Sequence, residues 1–546
     1  MTGGHATALA GVIIAELVSQ GVTDLVLAPG ARSAPLAYEA LAADRIGLLR
    51  LHVRLDERTA GFLALGLAKG SGRPVAVLTT SGTAVANLHP AVLEAATSFV
   101  PLILLTASRP RSLVHTGANQ TTDQDRLFGV HVRAYAALTD ATPDPRTWRF
   151  ETARLVAAAT GARSRRPGPV QLNAELSEPL NPTGSAPDPL TTERVVTPVG
   201  WADSPTELPA GPQTVIVAGD APPAVGRSVA ELGATAGVPV LAEPSSNARS
   251  GPAALGTGRL LAASTLAAEV ERVIVFGHPT LSRPVARLLA RDDVELVVVT
   301  PYPDWVDPGR TATLVTSGVR LTGPATDSWL SRWQQADADL RADLDDLLAG
   351  LSYLSGPAVA AAVWAGLPAE EVLFVGSSSP VRDLDLAPVR SEPPPVYANR
   401  GLAGIDGNLS TAAGIALATE RPTTALVGDL TALHDVTGLL RPASEPVPDL
   451  RVVVANDGGG SIFATLEPGE PAQTRAYERL FGTPHAVDFA ALAAGAGVGY
   501  TRVTDTDGLV AVLAEPPRGV QLVEAVVDRS QRRTLDAAIT GLAATL

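Results

Sequence analysis

Cysteine is absent from the 546 residues. That excludes disulfides, thiolate nucleophiles, zinc–cysteine sites and iron–sulfur clusters together. Lysine occurs once, as Lys69, in a stretch expected to be helical and with no evident partner for Schiff-base chemistry, so pyridoxal phosphate is not expected. The eight histidines never fall at the close helical spacing of a zinc pair, and each reads better as a surface or satisfied core residue. Positive charge is also short, with a formal net charge of −14. Nucleic acid and anionic membrane surfaces both need a basic face, so neither is expected as the main partner, although a local arginine-lined pocket fits. The opening stretch, MTGGHATALAGVIIAELV, lacks a basic start, and Glu16 interrupts its apolar run before it could act as a signal or a span. The expectation is a cytoplasmic protein without stable membrane insertion.

What is present suits a globular α/β chain. Hydrophobic residues make up 46% and charged residues 18%, and 50 glycines and 45 prolines punctuate many short turns. At roughly 150 residues per domain the length suggests three or four domains, with three as the working number. Short apolar runs such as DLVLAPG, PVAVLTT, VPLILLTA and PVQLNAE alternate with Ala- and Leu-rich helical stretches, the pattern of a doubly wound parallel sheet. This first block is assigned residues 1–182. A Pro-, Thr- and Ser-rich stretch, 183–212, reads as a linker. QTVIVAGD, VPVLAEP, RVIVFGH and ELVVVTP then mark a Rossmann-like middle domain, 213–345. EVLFVGSSS, PTTALVGD and LRVVVANDGGG mark the third block, 346–546. The first and third blocks look duplicated: Leu25 and Leu373 open matching strands, Arg73-Pro74 and Arg421-Pro422 precede matching strands, and both pairs lie 348 positions apart.

Three groups of residues carry chemistry. In the third block, one strand ends at Gly428-Asp429-Leu430 and the next at Asn456-Asp457-Gly458-Gly459-Gly460. Magnesium wants near-octahedral oxygen ligands and binds diphosphates through one or two carboxylates. Asp429 offers a carboxylate, Asn456 an amide oxygen and Gly458 a backbone carbonyl, all at carboxyl ends of parallel strands, where such sheets bind ligands. Either turn alone is an ordinary polar strand end; together they favour a metal site. In the first block, Glu57 follows Asp56 ahead of a helix, where an acid suits the helix dipole whatever else it does. The turn Thr79-Thr80-Ser81-Gly82-Thr83, followed by Asn87, ends a strand close by in sequence and is rich in helix-capping residues. The third group is arginines in Gly/Pro-rich turns: Arg32, Arg109, Arg382 and Arg400. Surface arginines are the default, since nearly every basic residue here is arginine, but forks at strand-end turns suit small polyanionic substrates.

The Gly-Asp and later Asn resemble the diphosphate signature of thiamine diphosphate-dependent enzymes, with Gly-Asp-Leu in place of the usual Gly-Asp-Gly and Asn456-Asp457 in place of Asn-Asn. Ala-Pro-Gly-Ala-Arg-Ser, Ala-Asn-Gln, Asn-Arg-Gly-Leu-Ala-Gly-Ile-Asp-Gly and Asn-Asp-Gly-Gly-Gly-Ser-Ile-Phe narrow the resemblance to the 2-succinyl-5-enolpyruvyl-6-hydroxy-3-cyclohexene-1-carboxylate synthases (MenD). The resemblance implies three α/β domains: pyrimidine-binding, Rossmann-like, and diphosphate-binding. It implies thiamine diphosphate with Mg2+ or Mn2+, and an enzyme that decarboxylates 2-oxoglutarate and joins the remainder to isochorismate in menaquinone biosynthesis. Glu57 would act on the aminopyrimidine ring. Thr80, Ser81, Asn87, Gly404, Ile405, Gly428, Asp429, Leu430, Asn456, Gly459 and Ile462 would bind the cofactor. Arg32, Arg109, Gln120, Arg283, Ser378, Arg382, Arg400, Ile462 and Phe463 would meet substrate, with Ala31 standing where the family often has serine. It further implies a homodimer or homotetramer in which Glu57 and Asp429 act from different chains. Another thiamine diphosphate-dependent decarboxylase or an acetohydroxyacid synthase is the rival within the class. A noncatalytic ligand-binding protein is the rival outside it, although Ala218-Gly219-Asp220-Ala221-Pro222 lacks the glycine spacing of a dinucleotide site.

Overall fold

The computed structural model describes residues 5–182, 195–199, 204–323 and 328–545. Much of the expected linker, 183–194 and 200–203, lies outside them. The chain divides into two compact units. The first comprises residues 1–201, 406–420 and 434–448; the second comprises 202–405, 421–433 and 449–546.

The first unit is built on a six-stranded parallel sheet: β1 (Asp24–Leu27), β2 (Arg50–Val53), β3 (Val75–Thr79), β4 (Leu102–Ser108), β5 (Tyr135–Thr139) and β6 (Val170–Glu175) in the order β2-β1-β3-β4-β6-β5. Its inner strands are buried along their length because helices cover both faces. The helix Glu57–Ser71 packs on the helix Asn408–Thr419. The contact is reciprocal: a Cβ on Gly66 would stand 2.1 Å from the Thr411 carbonyl oxygen, and one on Gly414 would stand 2.3 Å from that of Leu63. Both pairs are again 348 positions apart, so the two equivalent helices meet through equivalent glycines. This close approach is why 406–420 joins the first unit.

In the second unit, β7 (Thr206–Pro209), inside the stretch expected to be linker, pairs with β14 (Val319–Thr322), inside the expected middle domain. The middle sheet contains β8 (Thr214–Ala218), β9 (Val240–Ala242), β10 (Ala254–Leu255), β11 (Arg272–Phe276), β12 (Glu295–Val299) and β13 (Ala312–Thr316), ordered β10-β9-β8-β11-β12-β13. This is the doubly wound order of dinucleotide-binding folds. The crevice beside β8 is filled, however: Asp220 and His278 exchange backbone hydrogen bonds of 3.2 and 3.1 Å, and a Cβ on Gly219 would meet Pro279 N at 2.0 Å. Backbone occupies the turn that a pyrophosphate would need.

The last sheet contains β15 (Val372–Val375), β16 (Val396–Tyr397), β17 (Thr423–Gly428), β18 (Leu450–Asn456), β19 (Gly499–Val503) and β20 (Val520–Val526), ordered β16-β15-β17-β18-β20-β19. Counted from its own first strand, this is the order of the first sheet. β1 and β15 begin 348 positions apart, as do β3 and β17, which supports the duplication.

Candidate active site

In the first unit the expected residues gather at the carboxyl edge of the sheet, where consecutive strands end in turns. Arg32 follows β1 and is 8% exposed; its Nη1 donates to the Leu176 carbonyl at 3.0 Å, and Nη2 lies 3.6 Å from Glu178. Burial, and then the neighbouring Arg109 charge, hold the Arg32 guanidinium below its ordinary pKa. Arg109, at the end of β4, has a buried Nε with no partner. Two guanidiniums near enough to repel, one with an unmet donor, suit a carboxylate ligand.

Gln120 sits at φ +53°, a left-handed conformation that costs a non-glycine residue about 1–3 kcal/mol. It is locked to the turn after β3: its Nε2 donates to Ser81 O at 3.0 Å, and Ser81 Oγ donates to Gln120 O at 2.8 Å. Beside it, Thr80 Oγ1 is buried without a partner. Asn87 is exposed at the end of the short helix Thr83–Ala86. Glu57 is half-buried at the start of its helix, after Asp56, whose carboxylate accepts from Arg58 N at 2.8 Å and so caps that helix. The lone lysine is spent elsewhere, 3.6 Å from Glu94.

In the second unit the turns after β15, β17 and β18 enclose a cavity of about 120 Å³. Ser378, Ile405, Gly428, Asp429, Leu430 and Gly459 line it, with Ile462 and Phe463 from the short turn Ser461–Thr465. Asp429 Oδ1 accepts from Leu430 N at 2.7 Å, and Oδ2 accepts from Gly459 N at 2.8 Å. Burial raises the Asp429 carboxyl, while these N–H groups and His485 oppose the rise. The glycine turn is tight because Gly459, at φ +154°, passes where a Cβ would be 2.2 Å from the Gly482 carbonyl.

Asn456 does not line the cavity. Its Nδ2 donates to Glu524 on β20 at 2.6 Å, its Oδ1 accepts from Gly458 N at 3.0 Å, and the Gly458 carbonyl accepts from His485 N at 3.3 Å. Each of these two oxygens accepts one hydrogen bond and keeps a second lone pair, so the expected metal ligands Asn456 Oδ1 and Gly458 O keep the capacity to coordinate. Asp457 lines the cavity: Oδ2 accepts from Ser461 Oγ, while Oδ1 is buried and unpartnered. Burial, and next the Asp429 charge, push the Asp457 carboxyl up to about 7.

Ser378 adopts φ +79°, a second strained non-glycine residue, and its carbonyl accepts from Arg382 Nη1 at 2.8 Å. Burial, then the charges of Arg400 and Arg259, lower the Arg382 pKa. Arg400 is 3% exposed and donates to Thr280 Oγ1 at 2.7 Å. Gly404 lies in the turn just before Ile405. Arg283 is exposed and paired with Glu467 at 2.9 Å, away from the cavity lining.

The sequence reading passed over several cavity-side groups. His485 Nε2 lies 2.9 Å from Asp429 Oδ2, in a turn whose local sequence carries no signal. Arg529 and Arg532 also line the cavity, and Arg532 is held 2.8 Å from Asp383. Their run, Asp-Arg-Ser-Gln-Arg-Arg, was a legible concentration of basic charge in a chain short of it.

Duplicated parallel sheets, each with ligand-binding turns at its strand ends, fit a thiamine diphosphate enzyme, and the family matches show that class. Residues 7–127 match the family "Thiamine pyrophosphate enzyme, N-terminal TPP binding domain", and residues 384–524 match "Thiamine pyrophosphate enzyme, C-terminal TPP binding domain". Within that class the chain is 49% identical to the 2-succinyl-5-enolpyruvyl-6-hydroxy-3-cyclohexene-1-carboxylate synthase of Kineococcus radiotolerans, across 96% of this chain and 97% of that one. It is 49% identical to the Nocardioides enzyme of the same name, over 98% of each chain, and 43% identical to that of Mycobacterium avium, over 98% of each. The chain belongs to the 2-succinyl-5-enolpyruvyl-6-hydroxy-3-cyclohexene-1-carboxylate synthase family.

Proposed function

We propose that the chain catalyses the thiamine diphosphate-dependent decarboxylation of 2-oxoglutarate and conjugate addition of the remaining succinyl unit to isochorismate. The products are 2-succinyl-5-enolpyruvyl-6-hydroxy-3-cyclohexene-1-carboxylate and CO2, a step of menaquinone biosynthesis. The observation that carries this reading is the near-full-length likeness to synthases of that name.

Thiamine diphosphate, when bound, supplies the electron sink that no side chain provides. The residues present fit a divalent cation beside it, because Asp457 Oδ1 is buried and unpartnered next to Asp429. Among the described residues no three His, Cys, Asp or Glu side chains form a ready metal cage. Asp429, Asn456 through Oδ1 and the Gly458 carbonyl would hold the cation, with Asp457 beside them and further oxygens from the diphosphate, as Mg2+ prefers and Mn2+ accepts. Gly428, Leu430, Ile405, Gly459 and Ile462 wall the cofactor's place, and Thr80, Ser81 and Asn87 serve the pyrimidine half. Glu57 is the group that exchanges a proton with the aminopyrimidine ring. Arg32 and Arg109, and separately Arg382 and Arg400, bind substrate carboxylates, with Gln120, Ser378 and Phe463 shaping the walls. With this function go the domains 1–182, 213–345 and 346–546, a cytoplasmic location and a homodimer or homotetramer. No described helix is long and apolar enough to cross a membrane.

The test is CO2 release from 2-oxoglutarate with thiamine diphosphate and Mg2+, with and without isochorismate, in wild type and Glu57→Gln. Isochorismate-dependent turnover to the joined product, lost in the variant, supports the reading. Rapid release without isochorismate makes the chain a simple decarboxylase, and no release despite bound cofactor refutes the donor.

A further inference from the structure

Arg400 is buried at the end of the turn that follows β16, yet the group that accepts its Nη2 hydrogen bond comes from the middle sheet. That group is Thr280 Oγ1, 2.7 Å away, on the loop after β11; on the other side Arg400 Nη1 lies 3.4 Å from Ser377 Oγ. The Thr280 loop is fixed by a second middle-sheet residue. Glu243, just after β9, accepts from Thr280 N at 2.9 Å and from Leu281 N at 2.7 Å through the same oxygen, Oε1. Its Oε2 is buried and unpartnered, an expensive use of a carboxyl group for a merely packed loop. Four residues on, Asn247 grips the strand that delivers Arg400: its Nδ2 donates to Val396 O at 2.9 Å and its Oδ1 accepts from Val396 N at 2.8 Å. Middle-sheet side chains thus hold both the strand that leads to Arg400 and the guanidinium itself.

We infer that Glu243 and Thr280 are positioning residues that set the direction of the Arg400 guanidinium, and so tune the affinity for the substrate carboxylate it binds. This rests on the proposed role of Arg400 and goes beyond it by giving the middle domain a part in substrate recognition. The physical basis is geometric. An arginine fork binds a carboxylate through two parallel N–H groups only if its plane is fixed, and a hydrogen bond from one end of the fork to a rigid acceptor fixes that plane. Glu243 makes Thr280 rigid by holding its backbone N–H; Thr280 then holds the arginine.

Thr280 is exposed at its outer side, so it can be changed with little risk to folding, unlike Glu243. Steady-state kinetics with both substrates should be measured for Thr280→Val, Thr280→Ser, Arg400→Lys and the double variant Thr280→Val/Arg400→Lys. Expected is a roughly tenfold rise in one substrate's KM for Thr280→Val, the size of losing one hydrogen bond to a charged group, with kcat changed by no more than about twofold. Thr280→Ser restores KM. Arg400→Lys raises the same KM, and in that background Thr280→Val adds nothing, because its effect runs through Arg400. If Arg400→Lys raises a KM while Thr280→Val raises neither, or if the two effects add in the double variant, the inference is overturned and the role of Arg400 stands. If Arg400→Lys leaves both KM values unchanged, the role of Arg400 falls, and the inference with it.

Discussion

Substituting Gly66 by alanine should loosen the paired helices Glu57–Ser71 and Asn408–Thr419. The added Cβ would lie 2.1 Å from Thr411 O, 2.9 Å from its carbonyl carbon and 3.0 Å from its Cα. All three are backbone atoms of a helix, so no side chain can rotate away, and relief requires the helices to part by about 1 Å. Overpacking of this kind costs roughly 1–3 kcal/mol, and the better helix propensity of alanine returns at most about 1 kcal/mol. A net loss of about 2 kcal/mol would speed amide exchange through local opening by roughly thirtyfold in peptides covering both helices. Hydrogen-exchange mass spectrometry reads this directly. Gly414→Ala makes the reciprocal clash, so the double variant should lose less than the sum, the helices having already separated. Gly495 is the control: its Cβ would meet nothing within 4 Å, so Gly495→Ala should stabilise by about 0.5–1 kcal/mol. Unchanged protection in Gly66→Ala, or strict additivity with Gly414→Ala, would refute the reciprocal packing.

Asp457→Ala should weaken Mg2+-dependent thiamine diphosphate binding by roughly tenfold or more, measured by calorimetric titration. Asn456→Ala should cost about 1–2 kcal/mol of stability by stripping a partner from the buried Glu524, and should weaken the same binding at least as much as Asp457→Ala; unchanged binding would remove Asn456 from the proposed ligands. Burial, opposed first by the Leu281 N–H and then by the Arg400 charge, pushes Glu243 from its ordinary 4.5 up to about 8. A carboxyl raised in the fold gives stability that is complete below about pH 4.5 and lost as pH rises through 8. The melting temperature of wild type should therefore fall relative to Glu243→Gln between pH 5 and 8, and parallel profiles would contradict it. Gln124→Leu removes the acceptor of Gly82 N and a donor to Ala107 O and Asn173 Oδ1, so it should cost about 1–3 kcal/mol and lower the melting temperature.

The legible part of the fold was its buried part. β1, β3 and β4 are buried at every position, as parallel strands covered on both faces must be, and each contains an apolar run, Leu-Val-Leu, Val-Ala-Val-Leu and Leu-Ile-Leu-Leu. The strands that escaped lie mostly at sheet edges. β2, β13 and β19 are largely half-exposed or exposed, and their runs, Arg-Leu-His-Val, Ala-Thr-Leu-Val-Thr and Gly-Tyr-Thr-Arg-Val, mix polar with apolar residues and so form no apolar run. β20 is the instructive exception, an inner strand that was missed. Gln521 and Glu524 break its pattern, and Glu524 is tolerated at 8% exposure because Asn456 and the Tyr500 hydroxyl both donate to it. A charge placed in a core by tertiary partners cannot be distinguished in sequence from a charge facing water.

The same limit decides the site. Composition and motif brought Asp429, Ile405, Gly459, Ile462 and Phe463 to one cavity, because all sit in turns whose place is fixed by the strands before them. Between Asn456 and Asp457 there was no such guide. Both are oxygen donors where β18 ends, and their side chains take different partners: Asp457 lines the cavity, while the Asn456 amide nitrogen reaches β20. β20 fixes the Asn456 amide by accepting from its Nδ2 through Glu524, which leaves Oδ1 with the single hydrogen bond from Gly458 N. The missed β20 and the missed anchor of the Asn456 amide therefore share one cause. Glu524 beside Asn456 shows which end of the amide is held, the nitrogen, and which end, Oδ1, keeps a lone pair for a ligand.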